Sequence, residues 1–459
     1  MMKTEHIQHL YWRAGFGINP SELQKLKRQS KSQIVSRIFE QSSTSTSLTI
    51  DTSNIDEYIG SRESYKKKQF PDFIKMCKKQ LPEHNRAWIQ RLVDSDEMLR
   101  ERMTLFWANH FVCQDYQIYH ILQYNNSLRE HALGNFGDFV KAISDEASMI
   151  KYLNNKQNVK SKPNENFGRE LMELFTLGEG NYSEKDIKEA ARAFTGWSFK
   201  FNGEFYLKKT KHDFDEKEFF GERGNFDGND IIDIILEQEQ CVKYICTKVY
   251  SYFVNDVVDE RNVAKMTKVF FKDYNIENLM RFIFMSDWFY DEKNIGTKIK
   301  SPVELLVGIK KTVPVTIDSP RGLFYLQNIM GQVLLRPPNV AGWKGGKNWI
   351  DSNTIMVRLR IPSVLLNNAI IDLDEKGELD ATYEMYYKKK NKRKGGLKAT
   401  PDWSFFNEYY KNVSINELSD NLIQGKLNKG TAKLLSKLEV ENKRDYCIQL
   451  MSIPEYQMC

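Results

Sequence analysis

No Cys-x-x-C pair occurs in this chain of 459 residues. Cys77, Cys113, Cys241, Cys246, Cys447 and Cys459 are scattered, so neither a zinc knuckle nor a disulfide framework is indicated, and a reducing compartment fits best. Also missing are H-E-x-x-H, an E-x-x-H pair suited to a di-iron bundle, a P-loop, a dinucleotide glycine fingerprint and a G-x-S-x-G elbow. Those enzyme classes lose most of their support. No window approaches about eighteen uninterrupted apolar residues, and the opening Met-Met-Lys-Thr-Glu-His-Ile-Gln-His-Leu lacks the apolar core of a signal segment. The expectation is a soluble, unexported, cytoplasmic protein without a membrane. Charge of one sign is scarce as well: 67 Lys plus Arg against 61 Asp plus Glu leave +6, small for this length and no argument for nucleic acid.

Helical periodicity is what the chain does have. From Pro20 to Phe39, Leu23, Leu26, Ile34, Val35 and Ile38 share one side, and after a Ser/Thr-rich surface loop at 41–55 the pattern continues over 56–80 and 83–112. It resumes from Asp230 through Met285, from Pro302 to Lys311 and from Asp318 to Val333. Phe199 and Phe201 before Asn202-Gly203, with Phe205 and Leu207 after, spell a hairpin. The expected fold is mainly α, a large multi-helix globular fold with a small β-hairpin element near 198–208. Its helical core covers about 56–197 and 230–335, with hairpin and loop at 198–229. A Pro/Gly/Trp loop occupies 336–349, a basic flexible insertion about 386–400, and C-terminal helices 403–459.

The stretch Pro163 to Trp197 is the most informative. At roughly 100° per residue, Glu165, Arg169, Glu173, Asn166 and Glu170 fall in one polar arc without a lysine, opposite Phe167, Leu171, Leu174, Phe175 and Met172. Three carboxylates beside one arginine and one amide suit a pocket wall, while an exposed amphipathic helix with a Glu165/Arg169 pair explains the same letters. Ser183 and Asp186 form a capping box that starts a helix running to Phe194 or Thr195, whose Ala190, Ala191 and Ala193 would let the preceding helix approach closely.

Three histidines could carry chemistry. His110 projects among Met103, Phe106 and Trp107, and is either a satisfied core histidine or a general base or metal ligand. His131 precedes Gly134 near a helix end, where interaction with the negative end of the dipole is the default role. His212-Asp213 follows the hairpin, a place from which loops deliver catalytic side chains. Trp343 and Trp349, with Arg336 and Asn339, would make an aromatic and polar binding surface, or simply pin the loop.

Several motifs run nearly end to end: His9-Leu-Tyr-Trp-Arg-Ala-Gly-Phe-Gly17, Phe106-Trp-Ala-Asn-His-Phe111, Leu128 to Phe136, Pro163 to Trp197, His212-Asp213 with Lys217 and Gly221, Lys300-Ser-Pro-Val-Glu-Leu305, Arg336 to Trp349 and Pro454-Glu-Tyr-Gln457. On these the chain resembles the domain-of-unknown-function family 1800, a bacterial family without a settled activity. The resemblance implies one family-type region over 1–459 and a partner from a neighbouring sulfatase-like family. Relatives often carry export signals. Phe214-Asp215 and Lys344 depart from the family's usual Gly- and Pro-containing pattern.

The leading functional expectation is an enzyme, a metal-assisted hydrolase in its most specific form, acting on an anionic or polar substrate. His110, Glu170, Glu173, His212 and Asp213 would be catalytic. Arg169, Asn166, Arg336, Asn339, Trp343 and Trp349 would bind substrate, and His110, His131, Glu170 and Glu173 would suit a divalent metal. The alternative is a non-catalytic binding or assembly protein whose charged helix is a brace. Nucleic-acid binding through the Lys388 to Lys394 run, beside Tyr383, Tyr386 and Tyr387, is the weakest of the three.

Overall fold

Helix starts are written into the sequence by side chains that cap free backbone N–H groups. Ser183 with Asp186, Asp227 with Asp230, and Ser301 with Glu304 each close a reciprocal capping box. A computed structural model of the chain describes residues 1–60, 70–367, 397–438, 440 and 442–459. Its helices are α1 Thr4–Gly15, α2 Pro20–Leu26, α3 Lys31–Gln41, α4 Ser53–Gly60, α5 Phe70–Asp94, α6 Met98–His110, α7 Ile118–His131, α8 Phe136–Asp145, α9 Ala147–Tyr152 and α10 Asn166–Glu170. Then come α11 Glu184–Ala193, α12 Gly228–Leu236, α13 Glu239–Phe253, α14 Glu260–Phe270, α15 Ile276–Met285, α16 Pro302–Thr312, α17 Pro320–Ile329 and α18 Ser352–Leu366. The last four are α19 Trp403–Tyr409, α20 Leu418–Leu422, α21 Lys429–Leu435 and α22 Lys443–Met451. Three antiparallel pairs are the sheets among the described residues: β1 Trp197–Phe199 with β2 Phe205–Leu207, β3 Lys217–Phe219 with β4 Glu222–Gly224, and β5 Val315–Ile317 with β6 Ala399–Pro401. The fold is mainly α with small hairpins, as the periodicity predicts.

Several boundaries differ from the periodic reading, each for a physical reason. The single helix expected from Pro20 to Phe39 is two, because no apolar residue between Leu26 and Ile34 gives the intervening turn a side to bury. The break expected between 80 and 83 is absent. Pro82 lies inside α5, where the buried stripe Phe73, Cys77, His84, Trp88 and Leu92 outweighs its missing hydrogen bond. The stretch from Asp230 to Met285 is divided into α12 to α15, with Asp259 and Asn275 capping the later starts. Residues 61–69 of the first helical pattern, and the Lys388 to Gly396 run with Tyr383, Tyr386 and Tyr387, lie outside the described residues. Ala399 and Thr400, at the end of the expected insertion, belong to β6.

The chain divides into two compact units, Lys31–Phe289 with Leu334–Trp343, and Met1–Ser30 with Tyr290–Val333 and Lys344–Cys459. The first holds α3 to α15 around an aromatic core of Phe106, Trp107, Phe111, Phe136, Phe139 and Phe175. Beside that core, Glu101 of α6 is 1% exposed and accepts from Arg129 Nε of α7 at 2.5 Å, Arg91 Nε of α5 at 2.6 Å and Trp88 Nε1 at 3.2 Å. One carboxylate thus ties three helices together.

The second unit is organised around Lys300, whose ammonium sits 3.8 Å from the centre of the Trp12 ring and 3.9 Å from that of Tyr456, and donates to the Tyr456 carbonyl at 2.7 Å. Arg358 donates to the Lys300 carbonyl at 2.6 Å and to Gln457 Oε1 at 3.1 Å. A Cβ on Gly308 would come within 2.7 Å of the Trp12 ring, so this close approach requires glycine. Burial pushes the Lys300 ammonium down to about 7 from its ordinary 10.5.

From pH 7 to about 10 the unfolded chain keeps this proton while the folded chain releases it, so stability must rise with pH over that window. Urea midpoints for the protein and for Lys300→Met should therefore diverge, the parent gaining on the variant as pH increases. A constant difference between pH 7 and about 9.5 would contradict the lowered pKa of this buried lysine.

Candidate active site on a widened helical turn

The acidic arc begins on α10 and continues through a π-helical turn, Leu171–Thr176. Phe167, Leu171, Met172 and Phe175 are buried, as the apolar side of the pattern predicts. The turn widens until the N–H groups of Leu177 and Gly178 both reach the Met172 carbonyl, at 2.8 and 3.0 Å. Gly178 makes the exit with φ +83, where a Cβ would meet the Tyr244 ring. Widening leaves carbonyls to be satisfied from outside: His110 Nε2 meets Phe175 O at 2.9 Å, Tyr244 Oη donates to Leu174 O at 3.0 Å, and Gln240 Nε2 to Leu177 O at 3.2 Å. Next to it, a Cβ on Gly168 would lie 3.2 Å from that of Ala190, so α10 and α11 do approach closely.

Along the polar side, Arg169 pairs with Glu165 at 3.0 Å and Glu184 at 3.3 Å, and Tyr182 Oη donates to Glu173 at 2.9 Å. Asn166 is exposed, its backbone N–H bound to Asn164. Glu170 is half-buried and has no hydrogen bond or ion pair among the described residues. Burial and, next, the neighbouring Glu173 raise its carboxyl above the ordinary value, against the opposing pull of Arg169. Burial also raises the Tyr152 phenol, with Cys113 and Glu170 adding to the shift.

The histidines occupy other surroundings. The Phe175 carbonyl can only accept, so His110 carries its proton on Nε2, and burial followed by Lys248 lowers its pKa to about 3. Its Nδ1 is buried without a partner. His131 stacks on Phe139 at 5.6 Å, and burial lowers its pKa. His212 Nδ1 meets the Thr195 carbonyl at 2.8 Å, while Asp213 receives Arg192 Nε at 2.8 Å. Burial alone would raise the Asp213 carboxyl, but the Arg192 hydrogen bonds hold it low. No hydrogen bond or ion pair among the described residues joins Glu170 or Glu173 to His110, His131, His212 or Asp213. Among the described residues no group of three or more His, Cys, Asp or Glu is placed to hold a metal ion.

The Pro/Gly/Trp loop is anchored at one point of the first unit, where Asn109 reads the Trp343 backbone, accepting from its N–H at 2.8 Å and donating to its carbonyl at 3.1 Å. Gly342, at φ +75, leaves room for that amide. Trp343 is half-buried, Arg336 and Asn339 are exposed, and Trp349, in the second unit, is buried.

Sequence reasoning passed over Asn109, one residue before the histidine it chose. It also passed over Asp115, which receives Lys151 at 2.6 Å and Ser148 at 3.1 Å with His120 at 3.7 Å, and whose members are too far apart in the chain to form a pattern. His120 Nε2 and Gln117 Nε2 both meet the Phe201 carbonyl, which holds the hairpin tip on α7.

If His110 serves as a cap, its ring should show a protonated Nε2 by nitrogen NMR and stay neutral down to about pH 4, given its value near 3. His110→Phe should cost about 1–3 kcal/mol of stability by leaving the Phe175 carbonyl without a donor. An imidazole that titrates near 6.5 would refute the assignment.

No curated protein and no solved structure matches the chain. A family model described as "Protein of unknown function (DUF1800)" matches residues 9–458, nearly the whole length, and the chain belongs to that family.

Proposed function

We propose that the protein is an acid–base enzyme, hydrolytic in type, acting on a polar substrate with Glu170 as its proton-transferring group. The observation that carries the reading is the state of that side chain: half-buried, raised in pKa, and without a hydrogen-bond partner among the described residues. In its acid form Glu170 would protonate a leaving group, and as a carboxylate it would take the proton back from an attacking water. Burial first and then Glu173, fixed by Tyr182, raise the Glu170 carboxyl above its ordinary value. Arg169 is already paired with Glu165 and Glu184, so a neutral polar substrate suits this face better than an anionic one. The histidines and a metal ion take no part in the proposed step.

A second reading, a non-catalytic assembly protein with a braced helix, is favoured by those same pairs, since Arg169 and Glu173 are engaged locally. A panel of chromogenic esters, phosphoesters, amides and glycosides separates the two. On the enzyme reading at least one class is turned over, Glu170→Gln lowers kcat/KM by about 10²–10⁴ and removes one limb of the pH profile, and Glu165→Gln changes it by less than about threefold. Full turnover by Glu170→Gln sinks Glu170 as the acid, and no turnover of any class by the folded protein favours the assembly reading.

A further inference from the structure

The surface around the β1–β2 hairpin is strongly basic, although the whole chain carries a surplus of only +6. Residues 151–164 contain four lysines and no acid, and residues 196–212 contain four lysines against one acid, Glu204. Backbone hydrogen bonds bring the two stretches side by side: Lys160 N–H donates to Lys211 O at 2.8 Å, Gly196 N–H to Asn158 O at 2.9 Å, and Lys208 N–H to Gly196 O at 2.8 Å. Gly196 has φ +78, and a Cβ there would run into the Lys208 carbonyl and the His212 backbone, so glycine makes this junction possible.

Two of the eight lysines are neutralised, Lys200 by Glu204 at 2.6 Å and Lys151 by Asp115 at 2.6 Å. Lys156, Lys160, Lys162, Lys208, Lys209 and Lys211 are exposed and have no acidic partner among the described residues. Six uncompensated cations on one face repel one another, and an external polyanion is what relieves that repulsion.

The chemistry of the face narrows the class of polyanion. Neither stretch contains arginine, the residue that grips phosphate with a planar fork. Most of the rings are already covered: Trp197 is buried, Phe199 lies under the Lys156 ammonium at 4.1 Å, Phe205 packs on Trp197 at 5.0 Å and Phe201 on Phe73 at 5.3 Å. Phe201 and Tyr206 are the exposed hairpin rings, and with Phe201 packed on Phe73 they leave too little for the stacked bases of a single-stranded nucleic acid. Between the lysines stand exposed amides and hydroxyls, Gln157, Ser161, Asn202 and Thr210, groups that suit sugar hydroxyls. We propose that this face docks an acidic polysaccharide, an extended chain of sugars bearing carboxylate groups.

The test uses the full chain with polygalacturonate as the acidic polysaccharide, dextran as the neutral one and an oligothymidylate of matched charge, followed by calorimetry or fluorescence titration. Polygalacturonate should bind, dextran should not, and affinity should fall at least about tenfold between roughly 50 and 300 mM salt. Changing Lys156, Lys160, Lys209 and Lys211 together to Glu should weaken binding at least about tenfold with an unchanged circular dichroism spectrum. Lys268→Glu with Lys272→Glu, on and after α14, should leave it unaltered. Absence of polygalacturonate binding, equal binding by the fourfold variant, or tighter binding of oligothymidylate would each overturn the proposal.

Discussion

A backbone carbonyl inside an aromatic core must find a donor, and the widened turn at Leu171–Thr176 creates several such carbonyls at once. Donors come from two helices: His110 at the end of α6, and Gln240 and Tyr244 on the first turns of α13. That requirement fixes the register of both against the acidic face. It also decides the chemistry of His110. An imidazole bonded to a carbonyl and ringed by Phe106, Trp107, Phe111 and Phe175 is a neutral donor, and its low pKa follows from the cage it stands in. A Glu170 proton-transfer group would thus rest on a turn whose shape a histidine maintains.

Two buried charges elsewhere are likewise held by several partners at once. Glu101 has nitrogen donors from three residues, Trp88, Arg91 and Arg129, and Lys300 has two ring faces and a carbonyl. Removing one partner from such a group leaves a charge without compensation, which is far costlier than the pair is favourable. Arg129, Lys300, Trp12 and Tyr456 all lie in the motifs by which the chain resembles its family. Those motifs are therefore explained in large part by the fold, and family membership alone does not mark a residue as catalytic.

Helix identity was legible because burial and periodicity agree. The cap Ser183, the hairpin at Asn202-Gly203 and the Glu165/Arg169 pair all stand where local chemistry predicts them. Helix ends were less legible, as Pro82 shows, since one local breaker can be outvoted by a stripe of packed side chains. The site was only half legible. Periodicity put Glu170 and Glu173 on one face, yet nothing in the letters announces the π turn, because its cause is the set of distant donors that meet its carbonyls. For the same reason His110 reads alike as base, ligand or cap until Phe175 is seen beside it.

Glu170 is not the protein's only carboxyl with a raised pKa. Burial pushes Asp145 and Glu146 up to about 7, with Asp227 adding to the first and Asp145 to the second. Each of them has an oxygen closed off from solvent without a partner, Oδ1 of Asp145 and Oε2 of Glu146. Glu146 is buried as a whole, whereas Asp145 is half-buried with one oxygen sealed. Glu170, half-buried like Asp145, differs in having no oxygen sealed from solvent without a partner. Burial raises its carboxyl above the ordinary value while part of it stays open to solvent, and the hydroxyl of Tyr182 is committed to Glu173 beside it. A proton-transfer group needs access as well as a shifted pKa, a demand that the buried Glu146 fails and that a half-buried carboxyl such as Glu170 can meet.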